Sequence, residues 1–218
     1  MKSLSICCAM ALGAAMAVAA PVAWAGPAAQ AASASTAAPA SPQLHAAMRS
    51  LWHGHIVTTR DYALAVHAGD QAAAAKAADA VVANAKQIAN AVAGFYGKDA
   101  GAGLLKLLGG HWAGVKALTD TTKAGNNAGE QKAMQELAGN ATALAKFLAG
   151  ANPNWTEGAL QGALMMHVND HKTQIDEMMS NAPEAEQAKS WSGMQHHMDM
   201  IADALSDGIA KQFPNKVK

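Results

Sequence analysis

From about Leu44 to Phe213, apolar side chains recur every three or four positions and nowhere alternate with period two. That periodicity belongs to amphipathic helices, and the abundance of alanine with few β-branched residues favours the same fold class. The pattern breaks near Gly69-Asp70, at GFYGKDAG (94–101), at GNN (125–127), at GANPNW (150–155) and at NAP (181–183). Each break carries Gly, Asn, Asp or Pro, residues that cap or stop helices, so six helices are expected.

The pattern also repeats. A shift of 56 residues lays NAKQIANAVAG (84–94) over NATALAKFLAG (140–150), and the same shift relates His55, His111 and His167. The six helices then group into three helix-turn-helix units. Each histidine interrupts an apolar stripe: Met48, Trp52, His55, Thr59, Tyr62 in the first helix; Leu104, Leu108, His111, Val115, Leu118 in the third; Leu160, Leu164, His167, His171, Met178 in the fifth. The second and fourth helices are interrupted by Asn84 and Asn140, and the sixth by His197.

His55 with Asn84, His111 with Asn140 and His167 with His197 are each centred on one of the breaks. In an antiparallel pair, residues equidistant from the turn lie at one level. The expected architecture is therefore an all-α six-helix bundle built from three repeated antiparallel hairpins. Each histidine should face its paired Asn or His.

The N-terminal segment changes the picture of where the chain works. Residues 1–25 hold Lys2, an apolar run and a terminal AWA, the layout of a secretory signal peptide. Residues 26–43 read as a flexible Ala/Ser/Pro leader, 44–214 as the helical domain and 215–218 as a C-terminal tail. The expectation is a periplasmic or secreted protein. Both cysteines, Cys7 and Cys8, would leave with the signal, so thiol chemistry is excluded from the mature chain. Beyond the signal, no apolar run approaches the ~20 residues of a membrane span. Acidic and basic residues nearly balance, with no basic patch, which argues against nucleic acid as a partner.

The polar interruptions are the candidate chemistry. A polar side chain in an apolar stripe costs about 1–3 kcal/mol unless it is hydrogen-bonded. One reading is structural: His55 bonds Asn84, His111 bonds Asn140, His167 bonds His197 or water, and the protein is a non-enzymatic structural or interaction module. The other has the stripes converge, so that His55, His111, His167 and His197 hold a transition metal, with copper or zinc favoured and iron a further candidate. Asn84 and Asn140 would then orient the rings or offer weak oxygen ligands, and His171 would add a contact peculiar to the fifth helix. Seven methionines between Met165 and Met200 suit either soft-metal ligation or core filling. His45, His53 and His67 are expected at the surface, as is His196.

No catalytic residue is assigned. His167 and His171 have the spacing of a zinc-protease helix, but Val168 stands where the general-base Glu belongs. Phosphate loops, nucleophile elbows, haem attachment sites and the Glu-x-x-His pairs of di-iron proteins are also missing from the sequence.

The segments LWHGH (51–55), GFYG (94–97), FLAGANPNW (147–155) and HMDMIADALSDGIAKQFP (197–214) resemble a family of small, uncharacterised helical bacterial proteins, widespread in Gram-positive bacteria. The resemblance spans about Leu44 to Pro214. It implies histidines at 55, 111 and 167 and asparagines at 84 and 140, within NADDI segments where this chain has NAKQI and NATAL.

Overall fold

A computed structural model describes residues 41–217. The signal peptide and nearly all of the leader lie outside the described residues. The described residues form six helices and no strand: α1 Pro42–Ala68, α2 Gln71–Tyr96, α3 Lys98–Lys123, α4 Asn127–Ala151, α5 Glu157–Met179 and α6 Glu184–Gln212. No helix among them is long and apolar enough to cross a membrane.

The breaks act as the local chemistry requires. Gly69, Gly125 and Asn181, spaced 56 apart, have φ of 74°, 65° and 55°, the left-handed conformation that ends a helix most cheaply at Gly or Asn. The turns close through equivalent backbone bonds: Asp70 N–H to Ala65 O, Asn126 N–H to Thr121 O, and Ala182 N–H to Glu177 O. Asp70 and Asn126 then cap the next helices, their side chains accepting from the N–H groups of Ala73 and Gly129.

Two boundaries differ from expectation. Helix α1 begins at Pro42, because proline suits a first helical turn. Helix α3 begins at Lys98, inside the expected break, because Gly97 at φ 91° makes the whole connection alone. Within the C-terminal segment, the carbonyl of Val217 accepts from Ser41 Oγ at 2.9 Å.

Consecutive helices pack side by side and α6 closes onto α1, while α1, α3 and α5 also touch one another. The interior is therefore formed by the three odd-numbered helices. Their stripes supply Ile56, Leu104, Val115, Leu118 and Val168, all essentially inaccessible.

The segments GFYG, ANPNW and DGIAKQFP meet at one place. Asn152, fully buried, donates through Nδ2 to Tyr96 Oη at 2.8 Å and accepts at Oδ1 from Asn154. Tyr96 Oη donates to Gln212 Oε1, and Gln212 donates to the Ala151 carbonyl. Trp155 donates from Nε1 to the Ala204 carbonyl and lies so close on Gly208 that a Cβ there would overlap its ring. Tyr96 meets Phe213 edge to face, and Phe95 lies tilted against the same ring. These motifs thus tie α2, the α4–α5 connection and the end of α6 into one polar and aromatic knot.

Candidate metal centre

The interior of the odd-numbered helices collects four imidazoles: His55 from α1, His111 from α3, and His167 and His171 from α5. All four are buried. One ring nitrogen from each lies within 4.8 Å of the corresponding atom of the others. The ring centroids are 4.4–5.7 Å apart in all six pairings. Four points at nearly equal mutual distances describe a tetrahedron.

The polar contacts inside this group are incomplete. His167 Nε2 lies 3.3 Å from His55 Nε2 and 3.1 Å from His171 Nε2. A neutral imidazole nitrogen carries either one proton or one in-plane lone pair, so it cannot be a full partner to two such neighbours. His111 Nε2 and His167 Nδ1 are buried with no hydrogen-bond partner.

Electrostatics hold the rings neutral. Burial, reinforced by His111, pushes His55 down to about 3, and burial pushes His111 down to about 4. His167 and His171 are driven well below the usual histidine value, by burial first and by neighbouring imidazoles second. None of the charges acting on these rings is a carboxylate. Neutral imidazole is the form that ligates metals.

Of the expected quartet, His55, His111 and His167 are brought together, and the fourth position is taken by His171. His197 is buried on α6, outside the group, where its Nδ1 donates to Asp170 Oδ2 at 2.7 Å. The reason is topological, since α6 packs on α1 and α5 at the periphery while α5 faces the centre. One turn beyond His167, the same α5 face supplies His171. His197 instead lines an open pocket of about 550 Å³ with the exposed Met166 and Met200. Met178, Met194 and Met198 fill the core.

The asparagines do not bond the histidines. Asn84 Nδ2 donates to the Leu51 carbonyl at 2.9 Å and Asn140 Nδ2 to the Leu107 carbonyl at 3.0 Å, each one helical turn before the histidine. Gly54 and Gly110 make this approach possible, because a Cβ on either would fall within 3 Å of the asparagine amide nitrogen. Both Oδ1 atoms are left unpartnered. The Gly-His pairs at 54–55 and 110–111 were the sequence signal for this contact.

Outside the centre, His45 is buried between Asp203 and Asp207, each carboxylate 3.0 Å from a ring nitrogen, rather than at the surface. His53 is half-buried against Asp199, His67 is half-buried, and His196 is exposed as expected. Trp52 carries a contact that periodicity could not reveal: its Nε1–H is buried without a partner beside the histidines.

No family model, curated protein or solved structure matches this chain. The functional reading therefore stands on the site itself.

Proposed function

We propose that the protein binds one transition metal ion through His55, His111, His167 and His171. The observation that carries this is the clustering of Nε2 atoms at 3.1 and 3.3 Å. Tetrahedral coordination with metal–nitrogen bonds of about 2.0–2.1 Å sets ligand nitrogens about 3.3–3.4 Å apart. A cation at that point engages at once the lone pairs that cannot satisfy one another. Small rotations of the rings bring in the wider-spaced donors. An all-nitrogen, near-tetrahedral set suits zinc, with copper the principal competitor and iron behind it. Four protein ligands fit metal binding or handling better than catalysis at an open position.

The reading includes export of the chain with residues 1–25 removed, and a chain made of three related 56-residue helical hairpins. The recurrence of left-handed turn residues at 69, 125 and 181 supports the second point. N-terminal sequencing of protein from a periplasmic or culture fraction tests the first.

The deciding experiment is elemental analysis of protein purified without chelators, with zinc and copper titrations of stripped protein. One equivalent bound tightly, and lost in His111→Ala with the helical circular dichroism retained, is the expected result. No binding of zinc, copper, cobalt, nickel or iron leaves the structural-module reading in its place.

A further inference from the structure

A small cavity of about 30 Å³ adjoins the histidine group, lined by His55, His111 and His167 but not by His171. The cavity therefore opens on the triangular face of the tetrahedron opposite His171. Its remaining wall is apolar except at Trp52, whose buried Nε1–H has no partner. The positions related to Trp52 by 56 and 112 residues are Leu108 and Leu164, which line the same cavity. One of three equivalent positions has thus exchanged an aliphatic side chain for a hydrogen-bond donor, although an orphaned buried donor costs about 1–3 kcal/mol.

We propose that this cavity is a binding position for a small monovalent anion, which would add to a metal held by the four histidines and accept a hydrogen bond from Trp52. The proposal rests on the four-histidine metal reading. Its chemical class follows from charge. Four neutral imidazoles leave the full charge of a divalent ion uncompensated in an apolar interior, and no carboxylate belongs to the four-histidine group. A bound anion halves that charge, and an indole N–H stabilises it further. Size sets the limit: a single water needs about 10–15 Å³ of such space, so one to three non-hydrogen atoms fit and an acetate or phosphate does not.

The test uses the cobalt(II)-loaded protein, whose visible absorption distinguishes four-coordinate from five-coordinate metal, with sodium azide as the probe. Metal content is measured first. Failure to bind cobalt, zinc, copper, nickel or iron overturns the metal reading and this inference with it. With cobalt bound, azide is expected to produce a saturable loss of the intense tetrahedral bands without releasing metal. Trp52→Phe should keep the starting spectrum and weaken azide binding by about tenfold or more. Leu108→Trp, which fills the cavity from another of its lining positions, should keep cobalt and abolish the response. A cobalt spectrum unmoved by azide, release of cobalt on its addition, or equal azide affinity in the wild type and Trp52→Phe overturns the anion position while leaving the metal site standing.

Discussion

Two polar clusters among the described residues are built in opposite ways. In the knot of Tyr96, Asn152, Trp155 and Gln212, each polar side chain finds a partner within the protein. At the centre, Trp52 Nε1, His111 Nε2 and His167 Nδ1 have none, nor do Asn84 Oδ1 and Asn140 Oδ1 on the flanking helices, and these five are all but one of the buried unpartnered side-chain atoms among the described residues. Polar burial is tolerated where it is satisfied and costly where it is not. A completed network is a fastening, and the incomplete one is what supports the proposed metal site.

Acid should separate the two clusters most strongly. Each central histidine is neutral when folded, with a depressed folded-state value, and titrates near 6.5 when unfolded. Below pH 6.5 the unfolded chain binds more protons, so stability falls as pH falls from 6.5 toward the folded values of about 3 for His55 and about 4 for His111. At pH 5.5 each ring costs on the order of 1 kcal/mol, and the four together cost several kcal/mol, a large part of the whole stability of a domain. Urea unfolding of chelator-treated protein at pH 7.5 and 5.5 measures this. Equal midpoints would mean that the rings are not held neutral.

Metal should act in the reverse direction at pH 7.5. At a free concentration a thousand times Kd, binding stabilises by about 4 kcal/mol, which for a domain of this size raises Tm by about 8–16 °C. His171→Ala should lose most of that rise and His197→Ala should keep it. The opposite pattern in a thermal melt with and without zinc would place the fourth ligand on α6.

That pair of variants also marks where sequence pattern stops being informative. The helix breaks were legible because Gly69, Gly125 and Asn181 are among the few residue types that take left-handed backbone cheaply. His55, His111 and His167 were legible because each interrupts an apolar stripe. The choice between His171 and His197 was not, since a stripe shows that a face is buried without naming the helix that covers it. Helix α6 buries its stripe at the periphery, whereas α5 buries its own at the centre. Asn84 and Asn140 misled for a related reason, because buried amides serve backbone carbonyls as readily as side chains.

The knot should respond to packing and ignore metal. Gly208→Ala places a methyl group against the indole of Trp155, with an expected cost of about 1–3 kcal/mol. Denaturation with and without zinc should show the same loss in both conditions. A loss that zinc restores would couple the knot to the centre and remove the contrast between them.

The smallest effect tests how the centre is framed. In Gly54→Ala the new Cβ would lie 2.6 Å from Asn84 Nδ2, displacing an amide held by the Leu51 carbonyl. Losing that bond costs about 1 kcal/mol, partly offset by a gain of up to about 1 kcal/mol in helix propensity. Asn84→Ala removes the amide together with its orphaned oxygen and should be close to neutral. If the glycine exists to admit the amide, the double variant should be more stable than Gly54→Ala alone, with a coupling of at least about 0.5 kcal/mol in a double-mutant cycle. Simple additivity would show instead that the glycine and the amide are independent, and that α1 and α2 keep their register at His55 without this contact.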